Sequence, residues 1–137
     1  MLSTTLLVIS SGLGLSISVY FTLMYYGVVP PDGRYVPRFC RLEGDACRLV
    51  LSHRDARLFG VPNAVIAIPY YALVIVAGAW GPASPLIRPL LVASWCTIVL
   101  AVYLAFSLLV KLRVFCPLCY AAHALNAVIA VLLTWVR

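Results

Sequence analysis

Apolar residues gather into four long runs along this chain, and polar residues, glycine and proline collect between them. The runs cover about residues 4–29, 61–80, 90–110 and 115–136. Each reaches the roughly 20 residues that a helix needs to cross a hydrocarbon core. Lipid offers the backbone no hydrogen-bond partner, so such runs cross as helices. The breaks are a long segment at 30–60, "GPASPLIRP" with its three prolines, and "KLR". The pattern therefore predicts an all-α membrane protein, a four-transmembrane-helix bundle forming one domain over residues 1–137, with a long first loop.

That loop, 30–60, is too long to be a mere connector. It holds six of the ten basic residues and all four acidic ones. Apolar residues recur through it at Cys47, Val50, Leu51, Leu58 and Phe59. Asp45 is placed to cap a short helix from Ala46 to about Arg57, lying in the interface with its apolar side down. Tyr35, Phe39 and Phe59 are candidate anchors in the headgroup region.

Composition strengthens the membrane reading. Hydrophobic residues make up 64% of the chain and charged residues 10%, against about a quarter in soluble domains. Mean hydropathy is +1.06. The first run lacks a basic start and is longer than the apolar part of a signal peptide, so it is expected to be a span. No phosphate loop, carboxylate pair or Ser/His/Asp set is present. With all the acids in one loop, hydrolytic and ion-pumping chemistries lack their usual groups. Nothing calls for nucleic acid.

Cysteine carries the chemistry. Four crossings put both termini on one side, and the loop 30–60 and residues 111–113 on the other. Cys40, Cys47, Cys116 and Cys119 then converge at that second face. Cys96 falls in mid-span and is expected to be a small packing residue. The motif "CPLC" stands where the fourth run begins. Pro117 suits a first helical turn, where its missing N–H costs nothing. The positive end of the helix favours a thiolate at Cys116, and Lys111 and Arg113 are expected to push the same way. Cys119 lies one turn deeper, so the outer sulfur would face water and the inner one the bilayer. Such a pair can exchange with a protein thiol outside and pass electrons to a quinone inside.

Alternatives stand beside each reading. Cys40 and Cys47 are close enough to form a structural staple, or they exchange with the CPLC pair. The four cysteines, with His53, are also a potential soft-metal or zinc ligand set, though the usual second ligand pair is missing. The competing functions are thus a quinone-coupled thiol oxidase, a small metal-handling membrane protein, and a structural subunit with a stapled loop.

The loop cysteine pair, the stretch "CRLVLSHRDARLFGVPNAVIAIPYYAL" and the late "CPLC" together resemble the vitamin K epoxide reductase family in its short single-domain prokaryotic form. The resemblance covers nearly the whole chain. The other four-helix disulfide-generating family, bacterial disulfide bond protein B, places its CxxC in an early loop instead. The resemblance implies that Cys116 and Cys119 form the active-site pair, with Cys119 passing electrons to a quinone of ubiquinone or menaquinone type. It implies that Cys40 and Cys47 are the shuttle pair, Cys47 bonding transiently to Cys116 and Cys40 meeting a separately encoded thioredoxin-like partner. Asn63 and Tyr71 match positions that contact the quinone. Asn63 is also an ordinary helix-start residue, and Tyr71 an ordinary packing aromatic. His123 falls where the animal enzymes have a tyrosine, four residues after Cys119 and on its helix face. It would bond the quinone or a neighbouring helix. His53 stands where the family often has serine, with Ser52 adjacent. These departures point to quinone reduction rather than epoxide reduction.

Charge bears on orientation. Arg34, Arg38, Arg41, Arg48, Arg54, Arg57, Lys111 and Arg113 share the cysteine face; the other face has only Arg88, Arg137 and the terminal amine. Excess Lys and Arg mark the cytoplasmic side, so the bias favours a cytoplasmic cysteine face. Cytosolic thiols are usually kept reduced, hyperthermophilic cells being the exception.

Overall fold

A computed structural model describes residues 1–30, 34, 38 and 46–136, with 46 and 47 in backbone only. Among the described residues, four helices are long and apolar enough to cross a membrane. They are α1 (Leu2–Tyr25), α3 (Asn63–Trp80), α4 (Ile87–Phe106) and α5 (Pro117–Val136). Between α1 and α3 come a short helix α2 (Ala46–Ser52), a 3₁₀ turn (Arg54–Ala56) and two antiparallel strands, β1 (Arg57–Leu58) and β2 (Val61–Pro62). The protein is a multi-pass integral membrane protein, a four-helix bundle.

Helix α1 packs along α3 and α5, and α5 also along α4. The face that α1 buries is Leu7, Ser11, Gly14, Ser18 and Phe21. These follow one another at three- and four-residue steps, the stripe of one helix face. Three of the five are small, which lets neighbouring backbones approach closely in lipid. The buried hydroxyls of Ser11 and Ser94 donate to the carbonyls of Leu7 and Leu90, four residues back, so neither needs an outside partner. Tyr71, Val74, Ile87, Leu90, Ile129 and Leu133 complete the core, while apolar side chains such as Ile9, Val76, Val99 and Val131 point outward, as a lipid-facing surface requires. Cys96 is among the outward-facing residues. It is not the packing residue expected from its mid-span position.

The helix ends depart from the hydropathy pattern for local reasons. The apolar run continues to Val29, but α1 stops at Tyr25 because Gly27 takes a left-handed φ of 74°. The Val28 and Gly27 N–H groups then bond back to the Leu23 and Met24 carbonyls, satisfying two open ends of the helix. Helix α3 begins at Asn63, not 61, because Val61 and Pro62 belong to the β-hairpin. The hairpin turns on Phe59 and Gly60, with φ of 54° and 82°, the double positive φ of a tight two-residue turn. Its Arg57 guanidinium lies over the Tyr25 ring at 5.6 Å, pinning the loop to the end of α1.

Helix α4 starts at Ile87, three residues before the apolar run. At its far end it widens into a π turn over Ser107–Leu112. The turn closes where Arg113 takes a left-handed φ of 52° and its N–H reaches back to the Leu108 carbonyl. The short helix expected from Ala46 to about Arg57 ends at Ser52 and gives way to the 3₁₀ turn and the hairpin. Asp45, Tyr35 and Phe39, the expected cap and anchors, lie outside the described residues, whereas Phe59 is fully exposed at the hairpin tip.

Candidate active site

Cys116 immediately precedes α5, and its carbonyl accepts from the Tyr120 N–H in the first helical turn. Pro117 occupies the first helical position, as its fixed φ and missing N–H favour. The Cys116 and Cys119 sulfurs sit 2.8 Å apart. Both are buried, together with Phe21 of α1, Leu51 of α2 and Leu108 of the π turn. The outer sulfur therefore does not face water as the spacing suggested; the loop elements cover it. Leu51, part of that cover, is one helical turn beyond Cys47. The Cys47 side chain and all of Cys40 lie outside the described residues.

Beside Cys119 the bundle and the loop elements line an open cleft of about 350 Å³. Its lining is mostly apolar, from Ile17, Phe21, Leu100, Leu104 and their neighbours. A few polar groups reach it from four directions. Cys119, His123 and Asn126 come from one face of α5, at steps of four and three residues. Asn63, Tyr70 and Tyr71 come from α3, His53 from the loop, and Ser107 from the π turn. A largely apolar cavity of this size with few convergent polar groups is the usual form of a small-molecule site.

The polar groups differ in how they are committed. The Tyr71 hydroxyl donates to Asn126 Oδ1 at 2.7 Å, tying α3 to α5. Its ring is 1% exposed and lies against Gly14. Tyr71 thus borders the cavity while its hydroxyl serves Asn126. The Tyr70 hydroxyl pairs with Ser94 at 2.8 Å, tying α3 to α4. Asn63 Nδ2 donates to the Asp55 carbonyl at 3.4 Å, while Asn63 Oδ1 is buried with no partner among the described residues. A buried carbonyl oxygen without a donor is costly, and a ligand hydroxyl at the cavity would satisfy it.

Among the described residues, charge meets the site at its loop end. Asp55 Oδ2 accepts from Ser107 Oγ at 2.5 Å and from Lys111 Nζ at 2.9 Å. These two donors hold its carboxyl at about 2, below the usual carboxylate range. Lys111 also donates to the Tyr103 hydroxyl at 3.2 Å. It therefore serves Asp55 and Tyr103 rather than standing as a dedicated partner for the Cys116 thiol.

Of the residues expected from the sequence, Cys119, Asn63, Tyr71 and His123 line this cavity, and Cys116 is buried beside Cys119 without reaching the wall. His53, expected as a departure from the family pattern and as a potential metal ligand, joins them. Asn126 and Asp55 were not anticipated. Asn126 had a signal, being a polar residue in an apolar span seven positions from Cys119 and so on the same face. Asp55 had none, since nothing in the loop's sequence ties it to α4.

Comparison with known families matches residues 5–134 to the Vitamin K epoxide reductase family. No curated protein matches the chain.

Proposed function

Because this chain belongs to the vitamin K epoxide reductase family, and is thus an oxidoreductase coupling thiols to quinone in the membrane, we propose that it generates disulfide bonds in other proteins. Two thiols of a thioredoxin-like partner are oxidised to one disulfide. Their two electrons and two protons pass through Cys40 and Cys47 to Cys116 and Cys119, and leave on a membrane quinone as its quinol. The observation that carries this reading is the position of Cys119. It belongs at once to the paired sulfurs and to the wall of the apolar cavity. One side chain thereby joins thiol exchange to a site built for a lipophilic ring.

The cavity's polar groups suit the two carbonyl oxygens of a quinone, which accepts two electrons and two protons when reduced. Asn63 has an N–H not used by Asp55 to donate to a quinone oxygen, and its Oδ1, without a partner among the described residues, can accept from the hydroxyl of the quinol. His123, one turn below Cys119, offers a ring that donates or accepts. Asn126 has its oxygen occupied by Tyr71 and its amide N–H groups left to donate. The covered Cys116 needs a thiol brought to it by the loop, and Cys47 lies on the helix that forms the cover. The metal-handling reading is not favoured by the family match.

Purified protein in detergent, with dithiothreitol as donor and quinone absorbance as readout, tests the proposal. Turnover should fall at least about 100-fold in both Cys116→Ala and Cys119→Ala. Full activity in Cys119→Ala, or no quinone reduction by folded wild-type protein, would overturn it.

A further inference from the structure

Asp55 has no part in the proposed electron path, yet its backbone and side chain bond to four residues at the loop end of the site. Its carboxylate crosses from the loop to Ser107 and Lys111 on the π turn. Its backbone N–H donates to His53 Nδ1 at 3.3 Å, and its carbonyl accepts from Asn63 Nδ2 at 3.4 Å. His53 and Asn63 both line the cavity. The Asp55 N–H meets the ring at Nδ1, which also lies 3.8 Å from Asp55 Oδ2, so backbone and side chain of Asp55 both bear on the ring. One residue thus fixes the ring orientation of His53 and the amide orientation of Asn63, and is itself fastened to a spanning helix.

We propose that Asp55 is a positioning residue for quinone binding: its carboxylate, clamped to Ser107 and Lys111, holds the 53–55 backbone so that His53 and Asn63 present their polar atoms to the cavity. This rests on the quinone reading of that cavity. A loop backbone does not hold two side chains to sub-ångström tolerance without such support, and a misplacement near 1 Å costs on the order of 100-fold. The ion pair with Lys111 is half exposed, and such pairs add little to global stability. The bond to Ser107, a residue 1% exposed, fixes where the acid sits. The π turn is what presents Ser107 and Lys111 to the same oxygen. The role is therefore placement, and its signature is in quinone affinity.

The test uses purified full-length protein, dithiothreitol and decylubiquinone, comparing wild type with Asp55→Ala, Lys111→Met and the double variant. Asp55→Ala should raise the quinone KM about tenfold or more while kcat stays within about twofold. Reduction of the Cys116–Cys119 disulfide by dithiothreitol, which needs no quinone, should keep its rate. Lys111→Met should raise KM in the same direction. The double variant should be no worse than Asp55→Ala, because the groups act as one unit. An unchanged KM in both single variants, with wild type turning over normally, would overturn the positioning role and leave the quinone reading standing. Equal loss in quinone turnover and in disulfide reduction would overturn it too, by showing a general structural role. Should Asp55→Ala fail to fold, Lys111→Met decides: a raised KM supports the proposal and a wild-type KM overturns it. Wild-type protein with no quinone turnover would overturn the functional reading and this proposal together.

Discussion

Gly14 has no side chain because the Tyr71 ring stands where one would be. A Cβ at Gly14 would lie 2.5 Å from two atoms of that ring, which is 1% exposed and held by its hydroxyl bond to Asn126. Gly14→Ala should therefore cost about 1–3 kcal/mol, the range for overpacking, and should push the Tyr71 hydroxyl off Asn126. Tyr71→Phe isolates the second effect. It keeps the ring and leaves Asn126 Oδ1 without its donor, a loss of about 1–3 kcal/mol if no water replaces it. Thermal unfolding in detergent checks both. A Gly14→Ala protein as stable as wild type would show that α1 and α3 can separate to admit the methyl. The same residues show what could be read in advance. Tyr71 was expected from the family pattern as a quinone contact or a packing aromatic, and it lies at the cavity wall. Its hydroxyl partner was hidden, because Tyr71 and Asn126 are 55 positions apart and only the packing of α3 on α5 joins them.

The long helices were legible as elements because lipid imposes a single rule, an apolar run of sufficient length, and leaves few alternatives. Their ends were less so. Gly27 stops α1 within an apolar run, and a π turn prolongs α4 through Lys111 by hydrogen bonding that hydropathy does not reflect. The hairpin was not anticipated, since two-residue strands are too short to show alternation and Phe59 is an unusual choice for positive φ. The bond from Asp55 to the π turn makes this region respond to acid in a definite sense. The folded Asp55 pKa, about 2, lies below its ordinary 3.8. Folding thus favours the charged form, and the stabilisation is complete above about pH 4 and lost as pH falls through about 2. Hydrogen exchange of the amides at 54–62 should be as protected at pH 5 as at pH 7, after correction for intrinsic rates. Added opening should set in between about pH 4 and 2, and Asp55→Ala should remove that transition. Opening that begins above pH 5 would show that another group controls the hairpin.

At the scale of the whole molecule the open issue is which way the bundle sits in the membrane. The bundle follows from hydropathy and the site follows from the family pattern, but neither assigns a side. Charge does. Eight of the ten Lys and Arg residues lie on the cysteine face, in segments short enough for the positive-inside rule to apply. Lys111 is neutralised by Asp55, yet acidic residues weigh little in that rule, so the pair does not cancel the bias. The expected orientation has the loop and the CPLC pair in the cytoplasm and both termini outside. Disulfides would then be made in a compartment that in most cells is kept reducing, so the partner and clients would be intracellular. A variant retaining Cys40 alone, with Cys47, Cys96, Cys116 and Cys119 replaced by alanine, reports the side without disulfides to confuse it. An impermeant maleimide should leave Cys40 unlabelled in intact cells and label it once the membrane is permeabilised. Labelling of intact cells would place the cysteine face outside, against the charge bias. The proposed electron path to quinone does not depend on this side, because a quinone would be reached from within the bilayer; only the compartment in which disulfides form would change.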